Sequence, residues 1–227
     1  MDRLPSRNAL LAGLTILFSA LAGTSLPAAS DDAAGLSPER VGSIDSATSE
    51  AELRKIFGPD RVRDHRVQVG EGFVCQGTRI DLPDGDSLEI TWLDADTRAR
   101  PDTINVLGKR RATGEGLRLG STLQELEKIN GARFNLSGFG WDYGGTVGTW
   151  NGGSLDYLTA AGRPRMIVRL APKREAYQRI NRSERAAVSG DGALVSSGHS
   201  AMQALTPRVS QIIVDFAAGD CAAFFPE

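Results

Sequence analysis

Residues Thr48-Ser-Glu-Ala-Glu-Leu-Arg-Lys-Ile-Phe-Gly58 return later in the chain as Ser121-Thr-Leu-Gln-Glu-Leu-Glu-Lys-Ile-Asn-Gly131, with Glu, Leu, Lys, Ile and Gly identical in register. Each copy opens with hydroxyl residues that can cap a helix, and a Glu three residues after the cap completes a capping box. Apolar residues at helical spacing follow, and a glycine ends each copy. The pair predicts two short amphipathic helices in tandem structural units.

The strands predicted after the first helix form a hairpin. Residues 78–82 and 87–93 alternate between apolar and polar side chains, and the turn Pro83-Asp84-Gly85 separates them. Residues 103–107 supply a third strand. With the first helix they define repeat 1, residues 45–115, as a helix plus an antiparallel meander.

The second half of the chain follows the same order, so we predict an α+β fold of two tandem helix-plus-antiparallel-meander repeats. Repeat 2 covers residues 116–227, and its expected hairpin turns at Asn151-Gly152-Gly153. Its other predicted elements are strands at 145–150, 154–158 and 166–170, a surface excursion at 171–205 and a C-terminal strand at 209–216.

The N-terminal residues 1–30 are predicted to be a signal peptide. Arg3 and Arg7 precede an apolar run, and small residues follow around Ala28-Ala29-Ser30. An uncleaved anchor is the alternative. No later segment approaches the roughly 20 apolar residues that a spanning helix needs. We therefore expect an exported protein, periplasmic or secreted, with no stable membrane span after signal cleavage and a flexible segment at residues 31–44.

Composition and cysteine content restrict the class of protein. Hydrophobic residues make up 41% of the chain, which is enough for a core, and the formal net charge is −2. No basic stripe extends beyond Lys109-Arg110-Arg111, so we expect no nucleic-acid partner. Cys75 and Cys221 can form a disulfide in an oxidising compartment. Two buried, unpaired thiols are the alternative.

The sequence carries no catalytic signature. His65 and His199 are the two histidines, each in a polar surrounding typical of the surface, and Gly-x-Ser-x-Gly is absent. The cysteine and histidine spacings match no zinc site. Four carboxylates gather around the first hairpin but miss the calcium-loop pattern: Asp81, Asp84, Asp86 and Glu89. We expect neither enzyme activity nor a cofactor or metal.

One block of the second half concentrates aromatic side chains between glycines. Its candidate binding residues are Phe139, Trp141, Asp142, Tyr143 and Trp150. Exposed aromatic residues dominate protein-interface hot spots and also stack on sugars, so the block predicts a binding face. The alternative is that Trp141 or Trp150 packs in the core, with the glycines allowing close approach.

The stretch Gly116-Leu-Arg-Leu-Gly-Ser-Thr-Leu-Gln-Glu-Leu-Glu-Lys-Ile-Asn-Gly131 and its weaker copy at 48–58 resemble segments of two exported groups. One is the secreted β-lactamase-inhibitor protein family, and the other is the small lipoprotein family of outer-membrane assembly. Gly138-Phe-Gly-Trp-Asp-Tyr-Gly-Gly145 and Met202-Gln-Ala-Leu-Thr-Pro207 are also similar to uncharacterised exported bacterial proteins. The resemblance implies the duplicated fold and a non-catalytic, protein-binding role. The chain lacks the lipidated Cys of the lipoprotein group.

These observations lead to one expected function and two alternatives. We expect a non-catalytic exported binding protein that engages another protein in the cell envelope or outside the cell. The first alternative is an envelope glycan binder or hydrolase that uses the Trp141-Asp142-Tyr143 loop. The second is a purely structural envelope protein.

Overall fold

The computed structural model describes Met1, residues 35–162, 164–192 and 194–217, Gly219 and the backbone of Ala223–Phe224. Helices and antiparallel sheets share this part of the chain, which makes the fold α+β. The helices are α1 (Glu50–Phe57), α2 (Leu123–Asn130), α3 (Arg174–Arg179), α4 (Arg182–Ala187) and α5 (Ser200–Leu205), with single 3₁₀ turns at Pro59–Arg61 and Asp156–Thr159. The strands are β1 (Leu36–Ser37), β2 (Arg40–Val41), β3 (Ile44–Asp45), β4 (Val62–Gly70), β5 (Phe73–Asp81), β6 (Ser87–Trp92), β7 (Pro101–Leu107), β8 (Asn135–Ser137), β9 (Val147–Thr149), β10 (Arg165–Ala171), β11 (Leu194–Ser196), β12 (Arg208–Asp215) and β13 (Ala223–Phe224).

The largest sheet contains seven strands in the order β10-β12-β7-β6-β5-β13, with β4 paired to β5. All of its neighbours are antiparallel. The contact between β7 and β12 joins strands from residues 45–115 to strands from residues 116–227, with Ile104 opposite Val214. The two halves of the chain therefore share one sheet.

The two faces of this sheet differ in polarity, as the period-two alternation of its strands predicts. One face carries buried apolar side chains such as Ile80, Leu88 and Ile104, which join the core together with Leu53 of α1 and Leu126 of α2. The opposite face carries Arg79, Glu89 and Asn105 in one transverse row, since Arg79 pairs with Glu89 and Glu89 with Asn105. The polar face positions the candidate site described below.

Both predicted helices begin with a capping box. Ser49 accepts the N–H of Glu52, whose carboxylate accepts the N–H of Ser49 in return. Thr122 and Glu125 make the same reciprocal pair at α2. These contacts satisfy N–H groups that a helix start leaves without partners. The starts of both helices, predicted from the capping residues, are confirmed.

The predicted strand at 154–158 is wrong, because Asp156–Thr159 forms a 3₁₀ turn. Asn130, buried at the end of α2, donates its side-chain N–H to the carbonyl of Trp150 at 2.8 Å. Its side-chain oxygen accepts the N–H of Leu155 at 3.1 Å. This amide holds the chain after Trp150 against the helix end, so the hairpin strand is not formed.

Residues 35–44 are ordered, so the prediction of a flexible segment at 31–44 needs correction. They contain β1 and β2 and lead into β3, which together form a three-stranded antiparallel sheet. Leu36, Val41 and Ile44 are buried in the core, and the N–H of Leu36 donates to the carbonyl of Ala112 at 2.9 Å. Burial of these three apolar side chains fixes the segment. Residues 31–34 lie outside the described residues.

The predicted surface excursion at 171–205 also needs correction, because it contributes to the core. Val195 of β11 pairs with Leu136 of β8, and the short sheet β11-β8-β9 results. Met202 and Leu205 of α5 are completely buried. Apolar residues in this glycine- and charge-rich stretch are widely spaced in the sequence. Their spacing therefore does not predict that they all point into the core.

Candidate functional site

The candidate binding residues divide between core and surface. Trp150 is 0% exposed and Phe139 is 5% exposed, so both are core residues and the prediction that they bind a partner is corrected. Trp150 packs on Phe134, with ring centroids 5.0 Å apart. Trp141 is 37% exposed. The alternative of core packing therefore holds for Trp150 and does not hold for Trp141.

Trp141, Asp142 and Tyr143 lie at the tip of the loop between β8 and β9, named here the aromatic loop (residues 139–145). The indole N–H of Trp141 donates to the carbonyl of Gly138 at 2.8 Å. The rings of Trp141 and Tyr143 meet edge to face at 5.5 Å, an arrangement that aromatic pairs favour. The exposed indole is thus held in one orientation before any partner arrives.

Close backbone contact fixes the aromatic loop on β10. The N–H of Leu170 donates to the carbonyl of Gly145 at 2.9 Å, and Gly145 has a φ of +78°. A Cβ atom at this position would lie 1.9 Å from the carbonyl oxygen of Leu170. Glycine is therefore required here for both conformation and space. The hydroxyl of Thr146 adds a hydrogen bond to the carbonyl of Tyr143 at 2.7 Å.

The other side of the aromatic loop contacts the turn between β4 and β5. The carboxylate of Asp142 accepts the N–H of Glu71 at 2.6 Å. A Cβ atom on Gly70 would lie 2.9 Å from the hydroxyl oxygen of Tyr143, so the two residues are in close contact. Since β4 and β10 lie at opposite edges of the large sheet, the aromatic loop links both edges.

A surface depression of about 610 Å³ lies beside the aromatic loop. Its lining includes Asp142 from the loop, Arg169 from β10, Gln211 from β12 and Asn105 from β7. Leu107 and Leu119 give it an apolar part. Ligand sites commonly combine apolar lining with a few polar groups that fix orientation, and this depression has that composition.

Arg169 is held in the depression by neutral groups. Its Nε donates to the hydroxyl of Thr146 at 2.9 Å and its Nη1 donates to the side-chain oxygen of Gln211 at 2.7 Å. The guanidinium lies over the ring of Tyr143, 5.0 Å from the centroid. Burial lowers the pKa of Arg169, and the neighbouring Tyr143 and Asp142 act in the opposite direction. The guanidinium remains charged at neutral pH.

The carboxylates of the first hairpin have polar partners that hold them in place. Asp84 pairs with Arg111 at 3.1 Å, and Asp86 accepts the N–H of Arg110 at 2.9 Å. Burial alone would raise the pKa of Asp81, but the hydrogen bond from Arg79 and the charge of Arg63 outweigh it and lower the pKa. A general acid needs the opposite shift, towards neutral pH.

Glu89 is the centre of a second cluster of polar side chains, on the polar face of the large sheet. It contacts the Nε2 of His65 at 3.1 Å, the Nη1 of Arg79 at 3.4 Å and the side-chain N–H of Asn105 at 3.2 Å. His199 instead accepts the N–H of Ala201 at the start of α5, at 3.2 Å. Within the described ranges, no group of three or more His, Cys, Asp or Glu residues could hold a metal ion.

Cys75 is completely buried on β5. The backbone of Ala223 pairs with it, which brings the C-terminal strand to this position. Cys221 lies outside the described residues, as does the predicted signal peptide apart from Met1, so the disulfide and the signal remain predictions. No helix of the described part is long and apolar enough to cross a membrane.

The sequence pointed to the aromatic loop but missed Arg169 and Gln211. Both belong to strands predicted correctly, at 166–170 and 209–216. A charged residue within the otherwise apolar Met166-Ile-Val-Arg-Leu170 was the available signal. Pairing of β10 with β12, which places Arg169 opposite Gln211, could not be read from local pattern.

No protein-family model matches the chain, and no curated protein matches it. A crystal structure of the uncharacterized protein yfeY from Escherichia coli is similar at a TM-score of 0.43 and 15% identity. The match covers 80% of this chain and 99% of that one. The two chains thus share a distant likeness.

Proposed function

We propose that the protein is a non-catalytic, exported binding protein that engages another protein in the cell envelope or outside the cell. The supporting observation is the exposed indole of Trp141, held edge to face on Tyr143 beside the depression that Arg169 lines. Trp, Tyr and Arg are the residue types enriched at energetic hot spots of protein interfaces. An indole that is already ordered loses little conformational freedom on binding, which favours affinity.

A glycan ligand is the second candidate. Aromatic rings stack on sugars, and the depression beside Trp141 is lined by the amide side chains of Asn105 and Gln211, which can bond to hydroxyl groups. Hydrolysis of that glycan has less support, since the hairpin carboxylates Asp81, Asp84 and Glu89 are engaged by arginine side chains.

We further propose that the two halves of the chain are tandem repeats. The reciprocal capping boxes at Ser49 and Thr122 support this origin, as does the glycine that follows each helix. The second half departs from the first at Asp156–Thr159, where a 3₁₀ turn replaces a hairpin strand. Function in this proposal belongs to the aromatic loop, which repeat 1 does not contain.

Partner capture with matched variants tests the proposed function. The full mature chain is used to capture proteins from an envelope or secreted fraction, and Trp141→Ala is compared with Ile56→Ala. Ile56 is an exposed apolar residue on α1, outside the aromatic loop. We expect Trp141→Ala to lose the captured protein while Ile56→Ala retains it. Equal capture by both variants would place the binding surface away from Trp141, and capture of no protein by the wild-type chain would contradict the proposal.

A thermal-shift screen separates the two candidates. A ligand that binds the folded state raises the unfolding midpoint. If cell-envelope sugars raise the midpoint of the wild-type chain but not of Trp141→Ala, and no protein is captured, the glycan candidate replaces the protein-binding one.

A further inference from the structure

In the ranges that the structure describes, Arg169 lacks the carboxylate partner that several other arginines of the large sheet and its connections have. Arg79 pairs with Asp81 and Glu89, Arg98 with Glu50 and Asp64, and Arg165 with Asp215. Arg169 is half-buried, and within the described part of the chain no carboxylate oxygen lies within 4 Å of it. A half-buried charge of this kind gains from an anion that binds it, because desolvation has weakened its contact with water.

The contacts of Arg169 leave its outer donors unused. Nε is taken by Thr146 and one hydrogen of Nη1 by Gln211. Among the described residues no group accepts from Nη2. The ring of Tyr143 covers one face of the guanidinium. A hydrogen-bonding ligand approaches the edge, because the N–H bonds lie in the plane of the guanidinium. Three N–H groups therefore remain for a ligand in the depression, with the side chain already oriented by its neutral partners.

The surroundings favour a carboxylate over a phosphate. Asp142 lines the same depression, and its charge is close enough to act on Arg169. A dianionic phosphate would leave a larger excess of negative charge in the depression than a singly charged carboxylate, because Arg169 supplies one positive charge and Asp142 already offsets part of it. The apolar lining from Leu107 and Leu119 can cover the methylene groups that carry a side-chain carboxylate.

We propose that Arg169 is the anchor for a glutamate or aspartate side chain of a polypeptide partner. This inference rests on the proposed function and gives the chemistry of the partner at that site. The acidic side chain enters the depression and accepts hydrogen bonds from Nη1 and Nη2, while the adjoining part of the same polypeptide contacts the indole of Trp141. Two-point recognition of this kind combines a charged anchor with an aromatic hot spot.

The first test follows the side-chain ¹⁵N signals of the wild-type chain during titration with sodium acetate, with sodium chloride at equal ionic strength as reference. We expect a saturable shift at Arg169 that the chloride titration lacks. A shift of the same size at Arg79, which is paired with carboxylates, would overturn the proposal, as would no shift at Arg169. Inorganic phosphate that saturates the site at a lower concentration than acetate would overturn the choice of a carboxylate.

The second test uses end-blocked peptides in which glutamate alternates with glycine, together with their glutamine counterparts. We expect the glutamate peptide to bind more tightly than acetate, and at least tenfold more tightly than the glutamine peptide. Arg169→Gln should weaken binding at least tenfold, whereas Arg174→Gln, which removes an exposed charge on α3, should not. If the peptide binds no better than acetate, the site takes a free carboxylate and the partner assignment is overturned.

The tests remain decisive if Arg169→Gln does not fold. Arg169→Lys keeps the charge but loses the paired donors, and we expect weaker peptide binding with a near wild-type unfolding midpoint. If Arg169→Lys and a folded Arg169→Gln both bind the peptide as tightly as the wild type does, the anchor role of Arg169 is overturned. Loss of the captured partner by Trp141→Ala but not by Arg169→Lys leaves the proposed function standing and this inference refuted. The reverse result would remove Trp141 from the binding surface and keep the Arg169 site. Saturable acetate binding at Arg169 with no protein captured by the wild-type chain would refute the proposed function and the partner assignment, and would leave only a carboxylate site.

Discussion

Gly145 is the residue on which the position of the aromatic loop depends. An added Cβ would collide with the carbonyl oxygen of Leu170, and the positive φ would strain it further. We expect Gly145→Ala to lower the free energy of unfolding by about 3 kcal/mol, combining overpacking with left-handed backbone strain. Chemical denaturation measures this loss.

Gly140 provides the matched control in the same loop. Its φ is also positive, at +94°, but an added Cβ would meet nothing within 4 Å. Gly140→Ala should therefore cost only the backbone strain, about 1 kcal/mol. Equal losses of unfolding free energy for the two variants would show that the close approach of Gly145 to Leu170 does not affect stability.

Truncation of Trp150 should cost far more stability than truncation of Trp141. Trp150 is completely buried against Phe134, so Trp150→Ala should cost about 3–5 kcal/mol of stability by leaving a cavity. Trp141→Ala should cost about 1 kcal/mol or less, because the indole is partly exposed already. Thermal unfolding of both variants checks the contrast, and a large loss for Trp141→Ala would contradict a surface role.

Sequence alone could not make this distinction between the two tryptophans. Both lie among glycines in the same twelve residues, and residue type and local spacing are similar. Burial is decided by Phe134, sixteen positions before Trp150, and by the amide of Asn130 that turns the chain beneath it. Those contacts depend on tertiary packing, which local pattern does not contain.

At the scale of elements, α1 is attached to the sheet through Glu50. Its carboxylate accepts from Thr78 at 2.7 Å, from Arg98 at 2.6 Å and from Arg54 at 2.7 Å. Burial alone would raise the pKa of Glu50, but the hydrogen bonds from Arg98, Thr78 and Arg54 outweigh it and lower the pKa. The ionised carboxylate is thus more favourable in the folded chain than in the unfolded one.

This shift predicts a loss of stability in acid. Because the folded pKa of Glu50 lies below its ordinary value of 4.5, its contribution is present above that pH. The contribution is lost as pH falls from 4.5 through the lower folded pKa. Urea unfolding between pH 7 and pH 3 measures the effect. We expect Glu50→Gln to be less stable at pH 7 and to show a weaker pH dependence than the wild type.

Glu175→Gln is the control for this pH dependence. Glu175 is exposed on α3 and forms no ion pair with any described residue. The variant should keep the wild-type pH dependence, so a flattened curve for Glu175→Gln as well would remove the specific role of Glu50.

Helices and strands could be predicted from the sequence where the contacts that define them join residues close together in the chain. The starts of α1 and α2 follow from Ser49 and Thr122, each of which bonds a residue three positions away. The strand expected at 154–158 failed because Asn130, far earlier in the chain, bonds the residues there. The inward orientation of Val195 and Met202 was hidden for the same reason, since their partners lie on other elements.

At the scale of the whole molecule, we predict that Cys75 and Cys221 form a disulfide. Cys75 is buried beside the backbone of Ala223, two positions from Cys221. Non-reducing mass spectrometry of the mature protein should give a mass two hydrogens below that of the dithiol. In the chain-entropy model a loop this long contributes on the order of 5 kcal/mol, so reduction should lower the unfolding midpoint. Two alkylatable thiols in the unreduced protein would contradict the bridge.

The contact between Asp142 and Glu71 gives the candidate site a mechanical property. The aromatic loop is fixed to β10 through Gly145 and contacts the β4–β5 turn through Asp142, so it connects the two edges of the sheet. Any change in sheet curvature alters the spacing between those attachments. We therefore expect a partner bound at the aromatic loop to slow amide hydrogen exchange in β4 and β10.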